Sequence, residues 1–147
     1  LKLAKQHNLL ICVDPKFDNW ELYQEVDLFK PNLNELKVMS DKLKVVENDL
    51  NIIADALHSK IHFKNLLVTL GAEGNFIYDD NHSRFNTQHS TLENPDVCGA
   101  GDAVIAVASL GLVCGFTLEQ IAELSNKAGF VVCQKENVQP VTIVELI

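Results

Sequence analysis

Asn65-Leu66-Leu67-Val68-Thr69-Leu70-Gly71-Ala72-Glu73-Gly74 sets the fold class. Six residues, mostly apolar, end at a turn with two glycines, as in a strand buried on both faces. Upstream, from Leu43, apolar residues fall at Val46, Leu50, Ile53 and Leu57, in steps of three and four. That spacing predicts one long helix with a single apolar stripe. Downstream, Asn75-Phe76-Ile77-Tyr78, the turn Asp79-Asp80-Asn81 and Ser83-Arg84-Phe85-Asn86 predict a hairpin at a sheet edge. Toward the start, the segment LKLAKQHN reads as helical. Leu9 to Val13 reads as another doubly buried strand, stopped by Asp14-Pro15, and Asp27 to Lys30 as a short one, ended by Pro31. The last third is helical, from Gly101 to about Cys114 and again from Thr117, where Thr117-x-x-Gln120 forms a capping box. Thr142-x-x-Glu145 is expected to open a final helix in the same way. Alternating strands and helices predict a three-layer α/β/α domain around an open, mostly parallel sheet. In such sheets ligands sit beyond the carboxyl ends of the strands. No repeat, linker or internal boundary interrupts residues 1–147.

The composition is that of a globular protein: 147 residues, 47% apolar, 22% charged and 7% aromatic. It excludes disorder and low-complexity sequence. Twelve Lys and Arg against twenty Asp and Glu leave a net charge of −8. So acidic a surface repels a phosphate backbone, which argues against nucleic-acid or anionic-membrane partners. A small anion held by a few backbone N–H groups is still accommodated. Cys12, Cys98, Cys114 and Cys133 form no C-x-x-C pair, and three lie in apolar runs. We expect reduced thiols of an intracellular protein, those three filling the core. No secretory-type segment is present at the start. The longest apolar run, Ala103 to Phe116, is too short and too broken by Gly and Ser to span a bilayer, so a soluble protein is expected. The opening on Leu1 inside a helical pattern leads us to expect a piece of a longer chain.

Four stretches carry residues suited to chemistry. In Asp96-Val97-Cys98-Gly99-Ala100-Gly101-Asp102 a glycine turn feeds an apolar helix. Unpaired N–H groups at a helix start favour an anion. Asp102, in the first turn beside them, suits a general base that takes a proton from an attacking hydroxyl. The same residues also suit a capping aspartate after a flexible turn. In Pro31-Asn32-Leu33-Asn34-Glu35 an amide and a carboxylate stand three apart on one helix face. They suit either a hydrated Mg²⁺ or a capping box. Thr69 to Gly74 could shape a nucleotide pocket, or be a turn that needs glycine conformations. In Val13-Asp14-Pro15-Lys16, Lys16 could meet phosphate, and Asp14 a metal or Lys16. His58 and His62 have a zinc-compatible spacing, but no Glu follows His58 and the segment is turning polar. Trp20 and Tyr23 are expected to pack rather than to stack on a base.

Taken in order, Asn32-x-x-Glu35, Thr69-x-Gly71-x-x-Gly74 and Asp96-x-x-Gly99-Ala100-Gly101-Asp102 resemble the motifs of the ribokinase-like (PfkB) carbohydrate kinases. The resemblance implies ATP-dependent phosphorylation of a sugar or sugar-phosphate hydroxyl. It makes Asp102 the catalytic base, and Gly99, Ala100 and Gly101 the anion hole. Asn32 and Glu35 would organise Mg²⁺ through water. Thr69, Gly71 and Gly74 would line the ATP site, with Asn126 near the adenine and Lys16 near the phosphates. Asp96 would serve a monovalent-cation loop of the kind that holds K⁺. Within the family, VDPK followed by FKPNLNE is most similar to members that phosphorylate D-glycero-β-D-manno-heptose 7-phosphate at the anomeric hydroxyl. That reaction leads to ADP-heptose and bacterial lipopolysaccharide, in the cytoplasm, and a nucleotidyltransferase domain is often fused behind it. Cys98, Ala103 and Asn137 depart from the family's usual Thr or Ser, Thr and Gly. These departures bear on the cation loop more than on the base. The resemblance covers the carboxyl-terminal, nucleotide-side half of the family's domain. The 147-residue chain alone is therefore expected to be weak or inactive, and an exposed sheet edge would favour a homodimer. The alternatives are a catalytically silent nucleotide-sensing or interaction module of the same fold, and a kinase for another sugar or a nucleoside.

Overall fold

The computed structural model describes residues 1–81, 84–87 and 96–146. Strands β1 (Cys12–Val13), β2 (Leu28–Phe29), β3 (Asn65–Thr69), β4 (Asn75–Asp79) and β5 (Arg84–Thr87) are ordered as they occur along the chain. β1 pairs with β2, and β2 with β3, in parallel; Val13 lies opposite Phe29, and Phe29 opposite Leu66. The helices are α1 (Lys2–Gln6), α2 (Leu33–Leu43), α3 (Leu50–Ile61), α4 (Ala100–Val113), α5 (Leu118–Cys133) and α6 (Ile143–Leu146). Among the described residues no helix is long and apolar enough to cross a membrane. The chain divides into two compact units, Leu1–Thr69 with Phe76–Arg84, and Leu70–Asn75 with Phe85–Ile147.

In the first unit α2 packs on α3 and on β3. Leu28, Phe29, Leu66, Leu67 and Val68 are fully buried, and Phe29 stacks on Phe63 with ring centroids 6.3 Å apart. Each such side chain contributes about 1.5–3 kcal/mol through the area it removes from water. Trp20 and Tyr78 are buried in this core. His58 and His62 meet edge to face and His58 packs against Phe63, so the histidine pair belongs to an aromatic cluster.

The long helix expected from Leu43 is in fact two helices. Lys44 adopts a left-handed conformation (φ 60°) that ends α2, and Asp49 starts α3 by accepting the Asn51 N–H at 2.8 Å. The polar run Glu47-Asn48-Asp49 favours a cap over a helix interior, and Val46 is left 90% exposed. The strand expected from Leu9 begins only at Cys12. It is outermost in the sheet, and Leu9 and Leu10 are exposed rather than buried on two faces. The hairpin strands match β4 and β5, with β5 outermost; Ser83 lies outside the described residues.

In the second unit α4 lies along α5, and α5 meets α6. The helices approach closely because glycines face side chains: a Cβ on Gly129 would sit 3.0 Å from Val104 Cγ2, and one on Gly111 2.9 Å from Ile121 Cγ1. The capping box Thr117–Gln120 forms at α5. At α6 the arrangement differs from that expected. The Glu145 carboxylate accepts both the Thr142 N–H (2.7 Å) and the Thr142 hydroxyl (2.8 Å), and Lys135 bonds it as well (2.9 Å). No disulfide forms among the described residues, and none of the cysteines fills the core: Cys12 and Cys133 are half-buried, Cys98 is exposed, and Cys114 is exposed just past the end of α4.

The Lys135 hydrogen bond, with those from Thr142, brings the Glu145 carboxyl from its ordinary 4.5 to about 2. A carboxylate depressed in the folded state contributes stability that is complete above its unfolded value and lost as pH falls through the folded one. The Lys135→Ala variant should therefore melt below wild type near neutral pH, and the two melting curves should converge as pH drops from 4.5 toward about 2. Circular dichroism melts across that range check this. A gap that persists at the acid end would show that Lys135 acts through contacts that do not titrate, its hydrogen bond to Pro140 O (2.7 Å) or its packing.

Candidate active site

Each unit carries part of the machinery that the sequence singles out. In the first unit the parallel register brings the ends of β1, β2 and β3 together. Asn32 forms a parallel bridge with Thr69, whose N–H donates to Pro31 O at 3.2 Å. Pro31 stops β2 and Asn32 caps α2. Its Oδ1 accepts the Glu35 N–H at 2.9 Å, and Glu35 Oε2 accepts the Asn32 N–H at 2.8 Å. The Asn32 and Glu35 side chains thus form a complete capping box. Glu35 is 3% exposed, and its other oxygen, Oε1, lies 4.0 Å from Lys16 Nζ. Lys16 reaches out from the β1–β2 connection, largely exposed, with Asp14 Oδ1 3.9 Å away.

In the sequence Lys30 is only the last residue of a short strand pattern. It is 2% exposed, and its Nζ lies 3.3 Å from Asp14 Oδ1. A buried ammonium needs such a partner, because an unpaired charge in the interior is strongly disfavoured. The available signal was the register: Val13 opposite Phe29 makes Asp14 and Lys30 the next residues on neighbouring strands. Asp14, Lys16, Lys30 and Glu35 therefore form one cluster of two cations and two anions at the strand ends.

In the second unit the Gly71–Glu73 turn closes with Leu70 N–H donating to Gly74 O at 2.8 Å. Gly74 adopts φ 90°, ψ −139°, a conformation that side-chain-bearing residues rarely enter. Asn126 lies on α5, 7% exposed. Asp96 accepts the Cys98 N–H on one oxygen (3.0 Å) and the Asn137 N–H on the other (3.2 Å), so one carboxylate ties two loops. Asn137 carries φ 63°, as an asparagine replacing glycine can. Burial, and then the nearby Asp96 charge, push the Cys133 thiol up.

Gly99 caps α4 in a left-handed conformation (φ 77°). The Ala100 N–H donates to Val97 O at 3.3 Å, so within the expected anion hole Ala100 is engaged. The N–H groups of Gly101 and Asp102 fall in the first turn, where the helix offers no acceptor, and they have no partner among the described residues. The Asp102 side chain is exposed in that turn and carries no hydrogen bond or ion pair among the described residues. Paired unpartnered donors beside a free carboxylate can hold an anion and accept a proton from its neighbour.

A mostly parallel sheet with helices, matched by solved structures, places the chain in the ribokinase-like class of fold. Phosphofructokinase-2 from Escherichia coli superposes with a TM-score of 0.86 at 18% identity, over 98% of this chain and 47% of that one. Ribokinase from Thermotoga maritima gives 0.83 at 20% identity, over 99% and 50%. Adenosine kinase from Sinorhizobium meliloti gives 0.80 at 22%, over 99% and 45%. Over residues 1–144 the chain matches the pfkB family carbohydrate kinases, and it belongs to that family. It is 32% identical to the bifunctional protein HldE of Pasteurella multocida and 33% identical to that of Salmonella paratyphi B. The matches cover 99% of this chain and 30% of each relative, so the chain spans about a third of their length.

Proposed function

We propose that this chain is the carboxyl-terminal, nucleotide-side portion of a kinase domain that transfers the terminal phosphoryl group of ATP to a sugar or sugar-phosphate hydroxyl. The observation that carries this reading is the Asp102 carboxylate beside the N–H groups of Gly101 and Asp102, all without a partner among the described residues. In this reading Asp102 takes the proton of the attacking hydroxyl. The Gly99–Gly101 turn shapes the anion hole, in which the N–H groups of Gly101 and Asp102 hold the transferring phosphoryl group while Ala100 N–H stays on Val97 O, so positioning and charge supply most of the rate. Thr69, Gly71, Gly74 and Asn126 border the nucleotide, and Lys16 meets its phosphates.

For Mg²⁺ the donors are hard oxygens, which fit the ion, but the capping box already engages Asn32 Oδ1 and Glu35 Oε2. Glu35 Oε1 is therefore the atom that would hold it, through water. When bound, Mg²⁺ offsets the charge of the phosphates. The Asp96 oxygens, which bind two loop N–H groups, are acceptors suited to a monovalent cation such as K⁺. Phosphofructokinase-2, a structural neighbour, has been crystallised with potassium.

Similarity to the HldE proteins over 99% of the chain supports heptose 7-phosphate as the acceptor, with its anomeric hydroxyl attacked on the way to ADP-heptose and lipopolysaccharide. A cytoplasmic location and association into a dimer are parts of the same proposal. Calorimetric titration with ATP and Mg²⁺ tests the nucleotide reading: saturable binding is expected, strengthened by Mg²⁺. An absence of heat at millimolar nucleotide would overturn the reading and leave an interaction module of the same fold.

A further inference from the structure

Asn75 opens β4 and is 2% exposed. One orientation of its carboxamide satisfies both ends: Nδ2 donates to Gly74 O at 3.1 Å, and Oδ1 accepts the backbone N–H of Asn126 at 3.3 Å. The opposite orientation would set oxygen against a carbonyl and nitrogen against a donor, so it is disfavoured. In either case the carboxamide lies 3.3 Å from Ser125 Oγ, and the Asn75 N–H donates to Thr87 Oγ1 at 3.0 Å. Ser125 is fully buried, and Thr87 nearly so. The Asn75 side chain thus connects the last residue of the glycine turn with the middle of α5, and its backbone N–H reaches β5.

A buried carboxamide is costly unless its donor and acceptor are both satisfied. Here that requires Gly74 and Asn126 to stay at one spacing. An apolar residue would fill the same space without imposing that constraint, so the polar choice specifies geometry more than it adds stability. We propose that Asn75 is a positioning residue for the nucleotide: it fixes the glycine turn relative to Asn126, and acts through them without touching the ligand. The proposal rests on the reading that these two segments border ATP. Asn75 was read in the sequence only as the first residue of a hairpin strand. Its signal was an amide leading an otherwise apolar run.

The test is made on the protein as the cell makes it, with ATP calorimetry, steady-state kinetics using heptose 7-phosphate, and thermal melts. Asn75→Ala should raise the ATP Kd and the ATP KM by about tenfold, the equivalent of one well-made buried hydrogen bond. The KM for the acceptor, and kcat at saturating ATP, should hold. Asn75→Asp keeps the acceptor for Asn126 but turns an oxygen onto the Gly74 carbonyl, and should lose as much as alanine. Ser125→Ala should lose less, and combined with Asn75→Ala it should add nothing, since both act through the same carboxamide. If the alanine variant does not fold, Asn75→Ser and Ser125→Ala decide. Losses shared equally by ATP KM, acceptor KM and kcat would show a merely structural residue and overturn the proposal. So would unchanged ATP affinity in variants of a wild type that binds ATP. A wild type that binds no ATP would bring down the functional reading first, and this proposal with it.

Discussion

In the intact protein, under the proposed kinase reading, Asp102→Asn is expected to lower turnover by about a hundredfold or more while ATP affinity changes little. The substitution keeps the shape of the side chain and removes its capacity to take a proton. Asp102 is exposed and has no partner among the described residues, so asparagine neither breaks a bond nor buries an unsatisfied group. Melting temperature should therefore stay at the wild-type value, and the whole loss should fall on kcat. Nucleotide affinity should rise slightly if it moves at all, because a negative charge beside the phosphates is gone. Steady-state kinetics with calorimetry on the same preparation separate these quantities. Unchanged turnover would remove Asp102 from the chemistry and leave it as the first-turn acid of α4.

Replacing Gly99 by alanine should act on both fold and function. With φ at 77°, an L residue here is strained by about 1–2 kcal/mol. A Cβ would also meet Val138 Cγ1 at 3.2 Å. Val138 is 71% exposed and can swing away, so the backbone term dominates. Urea unfolding should therefore show the loss, and adding Val138→Ala should recover little of it. Relief of that strain moves the N–H groups of Gly101 and Asp102, so ATP affinity should fall along with stability. Wild-type stability in Gly99→Ala would show that the turn adapts without cost. Full recovery on adding Val138→Ala would place the effect in the side-chain contact instead.

The α/β class was legible because its signals are local. NLLVTL followed by glycines, the helix starts at Asn32 and Thr117, and the apolar run after Gly101 each specify an element without reference to the rest. The helix expected across Leu43 to Leu57 failed for a local reason too. Apolar spacing continued through Val46, but the cap at Asp49 outweighed it. Burial was less legible. Leu9, Leu10 and Cys114 look like core by composition, yet they lie where no neighbouring element covers them. At the site, the motif residues fall at strand ends and helix starts, as their types suggest. Lys30 and Asn75 were missed because their roles depend on partners across the sheet or fifty residues away. Pattern along one chain does not disclose which distant residue will satisfy a buried charge or amide.

The ion cluster at the strand ends bears on how a polyanion is received there. Its two ammonium groups already face two carboxylates, and one of the ammonium groups is sealed from solvent. In the proposed nucleotide reading, a phosphate arriving at Lys16 meets an ammonium that already has carboxylate oxygens 3.9 Å and 4.0 Å away, not a bare positive field. In that reading the balanced cluster contributes little long-range attraction, so binding should depend only weakly on ionic strength.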